Sequence, residues 1–281
     1  MNDITTGTAA PSEIMAMERV ERNAWLDMFL AAPTTLGAGA TARWERNGAY
    51  ALIAESAVPI AEFNRGFGLG VDAAMTQSDL DRAIAWLDRY AGENWSIQLP
   101  PLHGAVEIAG WLERRGLKPG GTGWARFHRP VAPLHETLSR TDLAVRQLVP
   151  GEGAHFGATV VGGFGLPEMV GPWFAALVGR PGWHIYAAYD GDMPVACGAL
   201  YVAGEWAWLG CDTTLPDFRG HGAQAALIQR RVADAAALGV TALTAETGQP
   251  APGTEHSSHS YRNYQKAGFA KAYVRPNYRR S

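Results

Sequence analysis

Apolar residues recur with both helical and extended spacing along the chain, which predicts a mixed α/β protein. From Ile14 to Leu30 they return every three to four positions, as in an amphipathic helix. Asn47-Gly48 separates two short segments, 42–46 and 49–55, and this dipeptide favours a turn that joins them as a hairpin. The same reasoning predicts, in order, a strand at 63–71, a helix at 78–90, a strand at 95–99, a helix at 106–115 and a strand at 122–128.

The second half of the chain combines a longer series of strands with four helices. The predicted strands are 144–147, 183–189, 195–202, 205–214, 241–246 and 269–274, and the predicted helices are 155–161, 168–179, 222–238 and 260–267. Two prolines between Arg129 and Leu134 indicate an extended linker. We therefore expect a disordered lead-in at 1–12, a first domain at 13–130, a linker at 131–141 and a second domain at 142–281.

A weak internal repeat connects the two halves. Leu69-Gly70-Val71-Asp72 returns as Leu209-Gly210-Cys211-Asp212. After each copy the predicted order is helix, strand, a helix ending in glycine, and an aromatic strand. The shared order favours a duplicated domain.

Composition and charge exclude several classes of protein. Hydrophobic residues make up 47% of the 281 residues, which is enough for a large core and excludes disorder over most of the chain. The net charge of −3, with no basic run, does not favour a nucleic-acid partner. No apolar run is long enough for a membrane span, and the N-terminus does not resemble a signal peptide. Two cysteines are too few for a disulfide framework, which favours the cytoplasm.

A glycine-bearing turn between a predicted strand and a predicted helix is the most informative segment. It reads Arg219-Gly220-His221-Gly222-Ala223-Gln224-Ala225. The first N–H groups of a helix lack partners within it and lie at the positive end of its dipole. Glycines allow a tight turn and close approach of a ligand. The segment therefore predicts a site for phosphate or diphosphate.

This segment resembles motif A of the GNAT-type N-acetyltransferases, whose pattern is Q/R-x-x-G-x-G/A. Arg219, Gly222 and Gln224 occupy the three defined positions, and Gln224 departs from the Gly/Ala norm. The resemblance covers about residues 142–281. It implies the GNAT fold, a mixed and mostly antiparallel sheet flanked by helices, here in two copies of which the first is degenerate. It also implies acetyl-CoA as co-substrate, with backbone contacts from Thr214 and Leu215.

A second segment, 260–269, looks like the Y-x-K-x-G-F end of GNAT motif B. The resemblance places Tyr264 near the cofactor sulfur, where a phenol can protonate a departing thiolate. Ser260 and Asn263 are candidates for a cofactor contact. The general base expected by the resemblance is an acidic residue on the two central strands, and Glu246, Asp212 and Glu205 are the candidates.

The resemblance implies transfer of an acetyl group to a primary amine of a small molecule or peptide, by direct attack in a ternary complex. Phe164 and Leu166 are candidates for the acceptor pocket. His256 and His259 alone are too weak a pattern for a metal site, so none is expected. The alternatives are an acyl-CoA-binding regulator without activity, a transferase of another acyl group, and a scaffold with a Trp-rich surface. The chain is expected to be a monomer or a homodimer.

Overall fold

A computed structural model describes residues 9–34, 36, 41–134, 138 and 141–280. The first half contains α1 (Pro11–Leu30), β1 (Arg43–Arg46), β2 (Ala51–Ala54), β3 (Arg65–Phe67), α2 (Gln77–Tyr90), β4 (Ser96–Gln98), α3 (Ala105–Arg114) and β5 (Leu117–Pro130). The second half contains β6 (Ala144–Gln147), α4 (Gly153–Phe164), α5 (Val170–Ala175), β7 (Trp183–Asp190), β8 (Met193–Ala203), β9 (Trp206–Thr214), α6 (Ala223–Ala237), β10 (Ala242–Gly248), α7 (His259–Lys266) and β11 (Ala270–Arg280).

All of these strands form one sheet, in the order β1-β2-β3-β4-β11-β5-β10-β9-β8-β7-β6. Two neighbouring pairs are parallel, β3 with β4 and β9 with β10. The succession β3-α2-β4-α3-β5 in the first half returns as β9-α6-β10-α7-β11 in the second. The order of elements predicted from the weak sequence repeat is therefore present in the structure.

The two halves exchange their last strands. β5 lies between β10 and β11, where Ala245 of β10 is opposite Phe127 of β5. β11 reaches the first half and pairs with β4, where Asn277 is opposite Gln98. The predicted linker thus divides the sequence, but the hydrogen-bonded sheet continues across that division.

Helices cover both faces of the sheet, because alternate residues of each strand point to opposite faces. Ile185 and Ala187 of β7 pack in a cluster with α1, α4 and α5. Tyr186 and Ala188, their neighbours on the same strand, pack in a cluster with α6 and α7. In the first half, α2 and α3 pack in a separate cluster with residues of β2 and β4. The layers are therefore helix, sheet and helix.

α1 belongs to the first half but packs most extensively on β8 and β9 of the second half. The indole N–H of Trp173 donates to the carbonyl of Met28 over 2.7 Å. Arg180 forms a bidentate ion pair with Asp27, with N–O distances of 2.6 and 2.8 Å. These contacts hold α1 beside β8 and β9, next to the site described below.

Several elements differ in length from the prediction. β3 covers only 65–67 of the predicted 63–71, because Gly68 takes a left-handed conformation with φ of 63°. α5 covers 170–175 of the predicted 168–179. β11 continues to Arg280, six residues beyond the predicted end, because the first half supplies its partners. α1 begins at Pro11, inside the predicted lead-in, and residues 1–8 lie outside the described residues.

Candidate active site

The site lies where β9 and β10 separate. The two strands pair in parallel from Trp206 with Ala242 as far as Leu209 with Ala245. Beyond that point β9 contains a bulge, in which Cys211 has φ of 56° and the register with β8 shifts by one residue. A bulge bends its strand and increases the local twist. The divergence leaves a gap in the sheet that opens toward the glycine turn.

The glycine turn ends at the N-terminus of α6. Gly220 and Gly222 have φ of 86° and 81°, in the left-handed region that favours glycine. The first helical bond runs from the N–H of Ala226 to the carbonyl of Gly222 over 3.1 Å. The amides of residues 223–225 precede that bond and are directed out of the helix end. The turn thus presents a group of N–H donors at a positive helix terminus.

Arg219 fixes the turn to its surroundings. Its Nη2 donates to the carbonyl of Gly163 over 2.9 Å, and its Nε donates to the carbonyl of Thr214 over 3.2 Å. The side chain therefore connects the end of α4, the end of β9 and the start of α6. The sequence predicts Arg219 as a ligand-binding residue. Its hydrogen bonds to two backbone carbonyls, which hold the turn in place, were not predicted.

A cleft of about 760 Å³, the loop cleft, opens in front of the turn. Most of the predicted cofactor-binding residues line it: Thr214, Arg219, Gly220, Gly222, Ala223, Gln224, Ala225, Ser260 and Asn263. Asp212, a predicted catalytic residue, also lines it. His259 and Lys266 of α7 were not predicted, although both are basic residues in or beside the motif B segment.

Two of the predicted cofactor contacts lie outside the lining of the loop cleft, Leu215 and His221. The N–H of Leu215 donates to the carbonyl of Val195 over 2.9 Å, and its carbonyl accepts from Phe218. Both backbone groups of Leu215 are thus engaged within the sheet and turn, and its contact with a ligand stays a prediction. Along an antiparallel pair of strands, residues with hydrogen bonds to the partner strand alternate with residues without them. Because Leu215 bonds to β8, the backbone N–H and C=O of its neighbour Thr214 face away from β8, toward the gap.

Gln224 connects the starts of α6 and α7. Its amide nitrogen donates to Ser260 Oγ over 2.8 Å, and its Oε1 accepts from the Asn263 side chain over 2.9 Å. The motif has Gly or Ala at this position. Glutamine is accommodated here because its side chain turns toward α7. The bridge holds both helices at the edge of the loop cleft.

Replacing Gln224 with Ala is expected to lower the free energy of unfolding by about 1–2 kcal/mol, because two hydrogen bonds between α6 and α7 are lost. Chemical denaturation measures the change. Gln265→Ala is the matched control, since Gln265 is exposed on α7, and its effect should stay within about 0.5 kcal/mol. Equal stability of the two variants would contradict the bridge.

Tyr264, Asp212 and Arg231 form a buried group on the α6–α7 side of the gap. The Tyr264 hydroxyl donates to Asp212 Oδ2 over 2.9 Å, and the carboxylate is ion-paired with Arg231. Burial, and then the neighbouring Asp212, raise the pKa of Tyr264 well above its ordinary value. The phenol therefore keeps its proton at neutral pH.

Glu246 lies at the opposite edge of the gap, on β10. Its Oε2 accepts from Arg126 over 3.0 Å and from Arg275 over 2.6 Å, and its side chain is 10% exposed. Burial, and then the charge of Glu21, raise the pKa of Glu246 above its ordinary value. A carboxylate with a raised pKa beside a cavity is suited to accept a proton.

Glu246 belongs to a buried charge cluster that joins both halves. Its members are three carboxylates and three guanidinium groups: Glu18, Glu21, Glu246, Arg65, Arg126 and Arg275. Burial alone would raise the pKa of Glu21, but Arg126 and Arg275 hold it well below its ordinary value. Sequence analysis missed these partners of Glu246. The sequence did contain a signal for them, because charged residues occur on α1, β5 and β11 at positions that the apolar periodicity assigns to the buried face.

A second cavity of about 800 Å³, the inner cavity, meets the loop cleft at Phe164, Asp212 and Ser260. Both Glu246 and Tyr264 line it, as do the predicted pocket residues Phe164 and Leu166. The first half contributes lining residues from α1, the 58–63 segment and β5. The inner cavity is therefore built by both halves of the chain.

Glu205, the third candidate base, does not reach this site. It is exposed in the turn between β8 and β9, at the end of β9 far from the gap. The predicted strand 205–214 included Glu205, but β9 begins one residue later, at Trp206.

The sheet, with its gap between two parallel strands and its glycine turn, has known counterparts. A GCN5-related N-acetyltransferase from Kribbella flavida superposes with a TM-score of 0.59 at 13% identity, covering 93% of this chain and 94% of that one. A GCN5-related N-acetyltransferase from Sphaerobacter thermophilus gives a TM-score of 0.57 at 14% identity, covering 96% and 93%. The chain has the GNAT fold.

The duplication is also found among proteins of the GNAT fold. A tandem GNAT protein from the clavulanic acid biosynthesis pathway gives a TM-score of 0.51 at 14% identity, covering 83% of this chain and 79% of that one. The α/β fold with a mixed sheet, expected from motif A, and the duplication, expected from the internal repeat, are thus confirmed. No protein-family model matches the sequence, and no curated protein matches it.

Two further properties concern the described part of the chain. None of its helices combines the length and apolar character needed to cross a membrane. Within the same residues, no group of three or more His, Cys, Asp or Glu side chains is arranged to hold a metal ion.

Proposed function

We propose that the protein is an N-acetyltransferase that moves an acetyl group from acetyl-CoA to a primary amine in a ternary complex. The observation that carries this proposal is the junction of two cavities at Asp212, between the loop cleft at the N-terminus of α6 and an inner cavity with carboxylates. The GNAT fold supports it. Titration calorimetry with acetyl-CoA, followed by measurement of CoA release in the presence of amines, tests it.

The loop cleft fits a CoA diphosphate by its chemistry. The amides of residues 223–225, which precede the first hydrogen bond of α6, and the positive end of that helix favour a phosphate anion. Lys266 adds a positive side chain to the lining, and the Thr214 backbone faces the gap, where an amide-bearing arm can lie beside it. Bound acetyl-CoA supplies an acyl group activated as a thioester, and overall an amine and a thioester become an amide and a thiol.

Glu246 is the general base in this proposal. An ammonium group must lose a proton before its nitrogen can attack, and amines of the lysine type have a pKa of about 10.4. The hydrogen bonds from Arg126 and Arg275 to Glu246 both use Oε2, which leaves Oε1 as the oxygen to accept a proton from the amine or from an intervening water. Asp212 is the weaker candidate, because Arg231 and Tyr264 already bond its oxygens.

Tyr264 is the general acid in this proposal. Its protonated phenol lines the inner cavity beside the junction, where a proton is needed by the departing sulfur. In the structure its O–H is directed at Asp212, so the hydroxyl must rotate to donate elsewhere. Arg231 beside the pair compensates the negative charge that remains after donation.

Replacing Tyr264 with Phe is expected to lower kcat about 10- to 100-fold, because one proton donor is lost. The dissociation constant of acetyl-CoA should change less than twofold. Tyr261→Phe is the matched control, since Tyr261 is buried on the same helix outside the inner cavity. Steady-state kinetics on the three proteins measures the effect. A Tyr264→Phe enzyme with unchanged kcat would remove this residue from the mechanism.

Direct transfer is favoured over a covalent enzyme intermediate. Cys211 lines the inner cavity, but burial raises the pKa of its thiol. Burial likewise raises the pKa of Cys197, which lies inside β8. Nucleophilic catalysis by cysteine requires the thiolate, which both environments disfavour.

A non-catalytic acyl-CoA sensor is the second candidate, since it needs the loop cleft alone. A tight complex with acetyl-CoA and no CoA release with a broad amine panel would favour it. The third candidate function is transfer of another acyl group. Competition between acetyl-, propionyl- and succinyl-CoA distinguishes it from acetyl transfer. The cytoplasmic location remains a prediction from composition.

A further inference from the structure

Glu21 is a fully buried carboxylate on α1 with no direct part in the proposed reaction. It is not among the residues that line the inner cavity, so it cannot touch a substrate there. It contacts three guanidinium groups, those of Arg65, Arg126 and Arg275, at shortest N–O distances of 3.4, 2.7 and 2.8 Å. A buried carboxylate needs such partners, and those of Glu21 come from three strands, β3, β5 and β11.

Glu21 and Glu246 share two guanidinium nitrogens. Nη1 of Arg126 lies 2.7 Å from Glu21 Oε2 and 3.0 Å from Glu246 Oε2. Nη2 of Arg275 lies 2.9 Å from Glu21 Oε1 and 2.6 Å from Glu246 Oε2. The two arginines therefore bridge a carboxylate behind the inner cavity and a carboxylate that lines it.

The position of Arg126 depends on Glu21. The other polar contacts of its guanidinium are long, since Nη2 is 3.5 Å from the carbonyl of Met17 and 3.5 Å from Thr244 Oγ1. Its Nε is buried without a hydrogen-bond partner among the described residues. The short contacts of Arg126 are thus those with Glu21 and Glu246. If Glu21 loses its charge, the guanidinium is attracted more strongly to Glu246.

The charge of Glu21 also balances part of the charge on the shared arginines. Guanidinium groups beside a carboxylate stabilise its anion and lower its pKa. Burial, and then the negative charge of Glu21, act in the other direction and raise the pKa of Glu246 above its ordinary value. Burial acts to raise the pKa of Glu21 as well, but Arg126 and Arg275 hold it well below its ordinary value. Glu21 therefore stays ionised while Glu246 titrates.

Every element around Glu246 contributes charged or titratable groups. Those on the side of the cluster are Glu18 and Glu21 of α1, Arg65 of β3, Arg126 of β5, and Tyr273 and Arg275 of β11. Those on the side of the cavity are Glu62, Cys211, Asp212 with Arg231, and Tyr264. Of these groups, Glu21 is the carboxylate that contacts the same two nitrogens as Glu246.

We propose, on the basis of the proposed function, that Glu21 is a positioning residue for the general base Glu246. It acts through Arg126 and Arg275, which it holds in place and whose charge it partly balances, so that Glu246 stays at the cavity and able to accept a proton. Glu21 and Arg126 belong to the half of the chain that does not carry the glycine turn. That half therefore takes part in the reaction by controlling the base of the other half.

The pH dependence of kcat/KM tests the proposal with the full-length protein, saturating acetyl-CoA and the amine that gives the fastest CoA release. In Glu21→Gln, the acidic limb that Glu246→Gln abolishes should move about one pH unit lower, because the guanidinium charges that Glu21 balanced now stabilise the Glu246 anion. The plateau at higher pH should fall about threefold, since a weaker base accepts the proton less readily. KM for acetyl-CoA should change less than about twofold, since Glu21 does not line the loop cleft.

Glu18→Gln is the matched control. It removes a buried carboxylate of the same cluster and the same helix, but Glu18 contacts Nε of Arg126 and Nη1 of Arg275, not the two nitrogens shared with Glu246. Its acidic limb should move less than half as far as that of Glu21→Gln. Lower stability reduces the amount of folded enzyme in either variant but does not move a pH midpoint. The comparison therefore separates positioning of the base from a purely structural role.

A charge-balanced variant replaces Glu21→Gln if that protein does not fold. Glu21→Gln combined with Arg65→Met removes one carboxylate and one guanidinium, and methionine keeps an unbranched side chain beside Trp25. The acidic limb should again move lower, by about half a pH unit, since loss of the weaker Arg65 effect offsets part of the shift. Arg65→Met alone should move the limb to higher pH, because it leaves the charge of Glu21 less compensated.

Denaturant unfolding gives a readout that needs no turnover. Because Glu246 has a higher pKa in the folded protein than in the unfolded chain, the folded protein binds its proton more tightly. The parent should therefore lose stability relative to Glu246→Gln as pH rises from 4.5 through the raised pKa. In the Glu21→Gln background the pKa of Glu246 is lower, so the same comparison should show a smaller or reversed change.

The outcomes separate this proposal from the proposed function. If no amine releases CoA, the proposed function fails, and the unfolding comparison alone decides whether Glu21 controls Glu246. If CoA is released but the acidic limb of Glu21→Gln stays in place, moves higher, or moves no further than in Glu18→Gln, the positioning role is overturned while acetyl transfer stands. An acidic limb that Glu246→Gln leaves unchanged overturns both the base and its positioning residue.

Discussion

Replacing Gly222 with Glu is expected to weaken acetyl-CoA binding at least 100-fold. Gly222 has φ of 81° and supplies the carbonyl that accepts the first helical bond of α6. Gly222 lines the loop cleft, so a carboxylate added there places negative charge beside the first amides of α6, where the proposal places the diphosphate. The added bulk and the added negative charge both oppose binding of the diphosphate. Titration calorimetry with acetyl-CoA measures the loss.

The control for this variant is Gly239→Glu, at the other end of α6. Gly239 has φ of 75°, and a side chain there meets open space. Each substitution costs about 1–2 kcal/mol of stability, since a side chain disfavours the left-handed conformation. Gly239→Glu should bind acetyl-CoA like the parent protein. Equal affinities of the two variants for acetyl-CoA would show that the turn does not hold the cofactor.

Replacing Glu246 with Gln is expected to lower kcat/KM for the amine about 100- to 1000-fold, because the general base is removed. Glutamine keeps the shape of the side chain and its contacts with Arg126 and Arg275. Affinity for acetyl-CoA should be unchanged, since Glu246 does not line the loop cleft. Glu205→Gln, in the exposed turn before β9, is the control and should have full activity.

The pH profile gives this prediction a second readout. Burial and Glu21 raise the pKa of Glu246 above 4.5, so its base form is lost as pH falls through that raised value. In the parent protein, kcat/KM should therefore decrease toward acidic pH with a midpoint above 4.5. That acidic limb should disappear in Glu246→Gln, leaving only the titration of the amine itself. An unchanged acidic limb in the variant would assign the base to another residue.

Local patterns were sufficient to predict most elements and the glycine turn. Periodicity located α6 between Gly222 and Gly239, and the glycines of the turn before it predicted an anion site at its start. These features depend on neighbouring residues in sequence, so a single chain contains enough information to find them. The prediction that Phe164 and Leu166 belong to an acceptor pocket came from the resemblance to GNAT proteins, and both residues line the inner cavity.

Features that depend on distant pairing were not predictable in the same way. The exchange of β5 and β11 requires a choice of partner between strands that are far apart in sequence. The cluster around Glu246 and the contact of Trp25 with Trp208 follow from that arrangement. The bulge at Cys211 also follows from pairing with β8, and the alternation of residues in β9 does not reveal it. Long-range packing decided each of these features.

The most direct test of the account is a crystal structure of the protein with acetyl-CoA. The account predicts the diphosphate within hydrogen-bond distance of the backbone amides of residues 223–225, and the thioester at the junction of the loop cleft and the inner cavity. A diphosphate bound in the first half of the chain, or anywhere away from the N-terminus of α6, would contradict it.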